Sequence, residues 1–362
     1  MSAPFIPEQQ TAIIAGPAGE FLVSDTVKVP TLMPDQILVK TGAVALNPVD
    51  TKLIGDFVTP GVMFGFDCAG TIVALGSEVP TDEFKIGDRV CGSASGMNQL
   101  KPLGGSFAEY AKLQANMSLH VPDYMSIEDA ASLGTSIASA AMCLFWSLKW
   151  PGDLLEGAKH GDEAKPPVLV YGGSTSTGTM VLQLLKLCGF PTIATCSPHN
   201  FDFVKGYGAD VVYDYKSSDC AAKIRADTNN ELEYIIDCFA EDSSMRFCYA
   251  AMGRAGGKYV ALNPFSEHLH NRKVIEPDWI LATRIAGDGS MWPAPFACPD
   301  EPKILEISLP LYRTFQVLLD ERKIRPHTVQ LEDGGLSGIP EGVQKIRSGA
   351  VSGVKLVYPI AA

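Results

Sequence analysis

Positive charge is scarce in this chain. Lys and Arg total 29 against 41 Asp and Glu, a net charge of −12. No nucleic-acid partner is expected, because phosphate backbones require clustered basic residues. Cys-x-x-Cys occurs nowhere. The nine cysteines, Cys68, Cys91, Cys143, Cys188, Cys196, Cys220, Cys238, Cys248 and Cys298, are odd in number and scattered. That excludes a disulfide framework and a zinc lobe, and suits free, mostly buried thiols in a reducing, cytoplasmic setting. Gly-x-Ser-x-Gly is also missing, which argues against a hydrolase elbow. Gly104-Gly-Ser106 runs into Phe107-Ala108, and Gly172-Gly-Ser174 into Thr175-Ser176. The start, MSAPFIPEQQ, lacks a basic n-region and an apolar h-region, so no signal peptide is expected, and the end, PIAA, is no lipidation or peroxisomal signal. The longest uncharged run lies between Ala130 and Lys149. It is diluted by Ser132, Gly134, Thr135, Ser136 and Ser139, and reads as a buried helix at a domain interface, not a membrane span. There is no internal repeat or low-complexity segment.

What is present suits a folded chain. With 362 residues, 46% of them hydrophobic, two domains are expected. The first is strand-like, punctuated by Gly and Pro. Strands are expected at Gln36 to Lys40 and Gly70 to Gly76, with Gly87-Asp88-Arg89-Val90 a turn into another. Asn47-Pro48-Val49-Asp50 reads as a helix start, with an Asn cap and Pro at the first position. Ser126-Ile127-Glu128-Asp129 caps a helix rich in small residues. Trp150 to Pro167 reads as a loop leading into the second domain.

From Val168 strand and helix alternate. Strands are expected at 168–171, 191–196, 210–213, 234–238 and 258–262, and helices at 179–187 and 200–207. This rhythm predicts a doubly wound parallel sheet with helices on both faces, an α/β fold. The tail carries helices near 311–321 and 340–347 and a strand at 354–358, which returns to the first domain. The expected division is 1–125, completed by 296–362, and 126–295.

The strand Val168–Tyr171 runs into Gly172-Gly173-Ser174-Thr175-Ser176-Thr177-Gly178 and then a helix. Such a turn allows close backbone approach to a dinucleotide pyrophosphate, and the helix N-terminus offers free N–H groups. Thr175 stands where a middle glycine is expected. Ser174, Thr175, Ser176 and Thr177 join Gly172 as candidate cofactor contacts. At the second strand's end, Ser197, Pro198, His199 and Asn200 include no acid for the ribose hydroxyls of NAD. With Lys205 following, they suit the 2′-phosphate of NADPH. Ser197 or Asn200 could equally be an ordinary cap beside a surface histidine. Tyr215 could stack on adenine or be a packed rim aromatic.

Gly65-Phe66-Asp67-x-x-Gly70-Thr71-Ile72-Val73, Phe84-x-x-Gly87-Asp88-Arg89-Val90 and Gly105-x-Phe107-Ala108-Glu109-Tyr110 resemble the GroES-like, β-rich catalytic domain of the medium-chain dehydrogenase/reductase superfamily. Its partner would be a Rossmann cofactor domain. Ser197-Pro-His-Asn-Phe-Asp202, Gly253-Arg-Ala-Gly-Gly257, Leu262-Asn-Pro-Phe265 with Glu267-His268, and Trp292-Pro-Ala-Pro295 narrow the likeness. They resemble the trans-acting enoyl reductases of fungal polyketide synthases, of the lovastatin type. The resemblance implies a stand-alone NADPH-dependent enzyme that reduces an enoyl polyketide thioester on the acyl carrier of a polyketide synthase or synthase–peptide synthetase hybrid. It also implies a monomer. Zinc-dependent members carry Gly-His-Glu where this chain has Gly65-Phe66-Asp67, so no zinc is expected.

Enoyl reduction needs a hydride at the β-carbon, donors for the developing thioester enolate and a proton at the α-carbon. Asn47-Pro48-Val49-Asp50-Thr51-Lys52 is the candidate segment. Quinone-reductase-like relatives continue to Gly-x-Tyr, whereas this chain has Gly55-Asp56-Phe57. Lys52 could therefore bond the nicotinamide ribose, bind the enolate oxygen or supply the proton, or it could be a surface lysine. Asn47 could be no more than a cap. By resemblance Val49, Asp50, Thr51, Lys52, Leu262, Asn263, Val351 and Ser352 meet the cofactor. Gly134, Thr135, Ser136, Ile137, Ala138, Ser139, Ala140 and Ala141 line an acyl pocket, its other wall being Thr283, Arg284, Ile285, Ala286 and Gly287. Ser139 joins Lys52 and Asn47 as a catalytic candidate. Small residues at 134 and 139 would leave room for a chain, or serve close helix packing. His268-Leu-His270-Asn-Arg272-Lys273 could meet an acidic carrier or be a solvated face. The competing readings are a free-standing quinone or enone reductase and an inactive NADPH-binding protein.

Overall fold

The computed structural model describes residues 5–150, 154 and 165–360. Most of the expected loop at 150–167 lies outside them. The chain forms two compact units. One comprises 1–138, 283–320 and 326–362, and the other 139–282 and 321–325. Residues 126–138 and 283–295 thus sit with the β-rich unit, not with the unit expected from composition. The composition shift near 126 marks the start of helical chain, which begins while still packed in that unit.

In chain order come β1 (Gln9–Ala15), β2 (Phe21–Lys28), β3 (Gln36–Ala45), α1 (Pro48–Lys52), β4 (Asp67–Leu75), β5 (Arg89–Ser93), β6 (Tyr110–Gln114), β7 (Leu119–His120), α2 (Ile127–Ala130) and α3 (Gly134–Ala141). Next are β8 (Val168–Tyr171), α4 (Ser176–Leu187), β9 (Thr192–Cys196), α5 (Phe201–Gly206), β10 (Val211–Asp214), α6 (Cys220–Asp227), β11 (Tyr234–Asp237), α7 (Asp242–Ala251), β12 (Gly257–Ala261) and β13 (Ile275–Trp279). The tail holds α8 (Lys303–Asp320), β14 (Val329–Leu331), α9 (Ile339–Arg347) and β15 (Lys355–Pro359).

The β-rich unit is built on the sheet path β14-β15-β3-β4-β5-β7, with β6 also on β3. The C-terminal strand β15 lies antiparallel on β3, so the tail completes this unit. Long β3 is buried along almost its whole length, which suits a strand paired on both sides. Here α1 starts at Pro48 behind Asn47, as the sequence predicts. The Ser126 hydroxyl caps α2 by accepting the Asp129 N–H at 3.0 Å. α3 continues as a π-helical turn, Met142–Ser147. The span Ile127–Ser147 is long and apolar enough to cross a membrane, yet 78% of its most apolar 18-residue stretch is buried inside the protein, as in a core helix.

The second unit is a six-stranded sheet ordered β10-β9-β8-β11-β12-β13, parallel throughout. β8 is apolar and wholly buried, as a central parallel strand must be. Its order reverses between β8 and β11, and ligands of such sheets bind beyond the carboxyl ends at that point. The core between sheet and helices gathers Leu169, Ile235, Met245, Cys248, Tyr259 and Ile275. All nine cysteines are free, and seven are buried.

Candidate active site

The turn from β8 to α4 is shaped by contacts that only glycine permits. Gly172 has φ +86°, and a Cβ there would come within 2.7 Å of the Phe239 ring. At Gly178 a Cβ would lie 2.4 Å from the Gly172 carbonyl oxygen. Thr175, the residue in the place of a middle glycine, caps α4. Its hydroxyl oxygen accepts the Gly178 N–H at 3.0 Å and donates to the Gly172 carbonyl at 2.8 Å. α4 therefore starts at Ser176, three residues before the expected 179. The Ser176 hydroxyl oxygen is buried without a hydrogen-bond partner. An unbonded hydroxyl on the first turn of a twelve-residue helix, beside a glycine turn at the carboxyl edge of a parallel sheet, fits a dinucleotide pyrophosphate.

The other cofactor candidates of this unit share that carboxyl edge. Ser197 to Asn200 follow β9, Tyr215 follows β10, and Leu262 and Asn263 follow β12. His199 and Lys205 are exposed, whereas Asn200 is buried. Tyr215 is 36% exposed. It meets Tyr171 edge-on at 6.0 Å, and the Lys216 ammonium lies 5.8 Å from its ring. Sequence reasoning missed Phe239 and Lys216. Phe239 is 44% exposed and packs on Tyr171. Its signal was an aromatic two residues past a strand end.

The basic stretch at 268–273 is partly a helix cap. The Arg272 guanidinium donates to the carbonyls of Tyr249, Met252 and Gly253 at the end of α7 (2.7, 3.1 and 2.6 Å). Nδ1 of His270 and the Tyr249 hydroxyl lie 3.0 Å apart.

In the β-rich unit, α1 presents Lys52 exposed at its end, with Val49 and Thr51 half-buried and Asp50 fully buried. Arg347, at the end of α9, donates twice to the Thr51 carbonyl (3.0 and 2.9 Å). It fixes the end of α1 that carries Lys52, and it was not foreseen. Val351 and Ser352 lie in the loop from α9 to β15. Phe57 makes edge contacts with Trp292 at 6.0 Å and Phe296 at 5.4 Å, so it is part of an aromatic cluster.

The Asn47 side chain is spent on a buried network. Its Nδ2 donates to Asp67 Oδ2 at 2.9 Å, and its Oδ1 accepts from Lys355 Nζ at 2.9 Å. Its backbone N–H donates to Asp50 Oδ2 at 2.7 Å, while Asp50 Oδ1 has no partner. Burial, with Asp67 nearby, pushes the Asp50 carboxyl up to about 8. Lys355 also forms a buried ion pair with Asp67 and donates to the Ser132 carbonyl at 3.3 Å. Asp67 Oδ1 takes the Thr135 N–H and hydroxyl, both at 2.6 Å.

On α3, Thr135 is half-buried and residues 136–141 are buried, Ser139 among them. A Cβ on Gly134 would meet the Gly92 carbonyl at 2.6 Å and Asp67 Oδ1 at 2.7 Å. The smallness of Gly134 thus serves close packing. The Ser136 hydroxyl donates to the carbonyl of Leu133, the residue just before α3, at 2.9 Å. The segment 283–287 is a tight turn, Ala282–Ala286, ending at Gly287 with φ +73°. Arg284 pairs with Glu301, and its Nε is buried without a partner. Thr283 joins Ser95, Asn98, Asp288 and Trp292 around a recess of the same unit.

Residues 33–123 match the family described as alcohol dehydrogenase GroES-like domain, and residues 176–301 the one described as zinc-binding dehydrogenase. Over 354 residues, 98% of each chain, the sequence is 56% identical to the trans-enoyl reductase buaC of Petromyces alliaceus. It is 45% identical to a trans-enoyl reductase of Gibberella fujikuroi, over 96% of this chain and 98% of that one. Among solved structures, CurK enoyl reductase aligns with a TM-score of 0.73 over 98% of this chain and 100% of the other. At 17% identity that likeness speaks for the fold alone.

The residues present do not fit the metal in the second family's description. Asp67 already takes four donors, one an ammonium. Burial and Asp67 push the neighbouring thiols of Cys68 and Cys91 up, Cys91 to about 12, away from the thiolate that binds zinc. Among the described residues, no three His, Cys, Asp or Glu are grouped to hold a metal ion.

Proposed function

The chain belongs to the trans-enoyl reductases of the medium-chain dehydrogenase/reductase superfamily, and on that premise we propose that it reduces the α,β-unsaturated thioester of a growing polyketide, carried by the acyl carrier of a polyketide synthase, with NADPH and without zinc. It is a pyridine-nucleotide oxidoreductase. The observation that carries the cofactor site is the buried, unbonded Ser176 hydroxyl on the first turn of α4. Gly172 and Ser174 to Thr177 hold the pyrophosphate there. Ser197 and His199 with Lys205 take the 2′-phosphate at a strand end without a carboxylate, and Tyr215 flanks the adenine.

Bound NADPH supplies the hydride that adds to the β-carbon. Lys52, held by Arg347 through the Thr51 carbonyl, donates a hydrogen bond to the thioester oxygen as negative charge gathers on it, and passes a proton to the α-carbon. Phe57 has no hydroxyl and cannot share that task. Asn47, whose amide is occupied, acts by shaping α1. Thr135 to Ala141 and Thr283 to Gly287 face the acyl chain. The composition of the sheet's edge strand β13 supports a monomer. β13 places Pro277 between Glu276 and Asp278, and a proline flanked by acids discourages edge pairing.

The test is NADPH oxidation with a crotonyl-type pantetheine thioester, run beside a quinone and with NADH as control. Thioester turnover preferring NADPH, lost at least about a hundredfold in kcat in Lys52→Ala, is the expected result. Turnover of the quinone alone moves the chain to the free-standing reductases. NADPH binding without turnover on thioester or quinone, even with carrier protein added, makes it a binding protein.

A further inference from the structure

We propose that Asp67, backed by Lys355, is a positioning residue whose two carboxylate oxygens set two separate parts of the site: Oδ1 the first turn of α3, and Oδ2 the start of α1. The inference rests on the reading above, in which α3 lines the acyl chain and α1 meets the cofactor.

Asp67 is fully buried and Lys355 nearly so (0% and 4% exposed). A buried ion pair is a costly way to fill a core, since an apolar pair of similar volume is often at least as stable. What an apolar pair cannot do is receive four donors arriving from three directions. Oδ1 holds Thr135 through both its N–H and its hydroxyl. Oδ2 holds the Asn47 amide and the Lys355 ammonium. Lys355 in turn touches both sides, Asn47 ahead of α1 and the Ser132 carbonyl ahead of α3. The glycine at 134 is the imprint of that arrangement, because a Cβ there would stand 2.7 Å from Oδ1. The carboxylate therefore sets how close α3 begins to β4.

The two arms predict separable defects. Thr135→Val keeps the backbone N–H bond and removes the hydroxyl donor. It raises KM for the pantetheine thioester at least about threefold and leaves the NADPH Kd, read by cofactor fluorescence, within about twofold. Asp67→Asn/Lys355→Met removes both charges together, so neither is left buried alone. Its amide retains an oxygen for Thr135 but turns an NH2 toward Asn47. The NADPH Kd weakens about tenfold, with a smaller rise in KM. Lys355→Arg, which keeps the cation, holds the Kd nearer the parent value. In variants with the parent's melting temperature, the proposal is overturned if Thr135→Val weakens the NADPH Kd as much as it raises KM, if the double variant raises KM as much as it weakens the Kd, or if neither constant moves in either variant. A parent protein that never reduces the thioester sinks the proposed reaction, while the NADPH titration of the double variant still decides the Oδ2 arm.

Discussion

Two buried aspartates show how differently the two units solve one problem. Asp67 opens β4 in the β-rich unit, and Asp237 closes β11 in the cofactor unit; both are 0% exposed. Asp67 is met by a lysine 288 residues away along the chain. Among the described residues no cation pairs with Asp237. It accepts the Ser244 hydroxyl at 2.6 Å, the Tyr259 hydroxyl at 2.8 Å, and the N–H groups of Phe239 and Ala240 at 2.9 and 3.0 Å. Burial raises its pKa against those four bonds. Neutral donors within 22 residues make a local clamp that shapes one strand end. The ion pair ties the C-terminal strand to two helix starts, which no local donor could reach.

Breaking the ion pair from one side should give the largest effect. Lys355→Met leaves a buried carboxylate without its cation, and urea unfolding should show a loss of about 3–5 kcal/mol. A loss below about 1 kcal/mol would put Asp67 on the same footing as Asp237. Asp50 sharpens the contrast, since it is a buried acid whose main compensation is its own proton. Its folded pKa of about 8 lies above the ordinary 3.8, so between these values the folded state binds more protons than the unfolded one. The parent's stability therefore falls as pH rises through that window, and the contribution is gone above about 8. Asp50→Asn lacks this titration. Its stability relative to the parent should grow by about 2 kcal/mol between pH 6 and pH 8, and a flat difference in paired melts would refute the assignment. The smallest effect is expected at Asp237→Asn, near about 1 kcal/mol, because an amide oxygen still takes the two N–H groups and the hydroxyls can turn to accept. A loss as large as that of Lys355→Met would erase the distinction between the two clamps.

Much of the cofactor unit was legible in the sequence. β8 falls at 168–171 as expected, and β9, β10, β11 and β12 lie within one or two residues of the expected strands, because apolar runs between turn residues have few other homes. α7 was missed although Met245, Cys248, Tyr249 and Met252 repeat at helical spacing; its polar opening, Asp242-Ser243-Ser244, reads as loop. α6, with Lys223, Arg225 and Asp227 among its eight residues, has a weak apolar stripe. α8 begins at Lys303, well before the expected 311, because Pro310 reads as a break that the helix in fact accommodates. Of the candidate site, the glycine turn was readable, since strand, turn and helix adjoin in sequence. The role of Thr175 as a cap, rather than a defect in glycine spacing, needed the folded turn. Gly134 was open to two readings, and only the approach of Gly92 and Asp67 chose between them.

By itself the sequence determined the alternating strand–helix rhythm, the glycine turn, the absence of a carboxylate after β9 and the start of α1, all of which depend on residues within a turn or two of one another. The tertiary structure alone decided that Asn47 is a network member, that Arg347 holds the end of α1, and that Lys355 and Asp67 are one pair. Those contacts join residues roughly 290–310 apart, and a pattern of local spacing holds no record of which distant strand will bring its charge alongside.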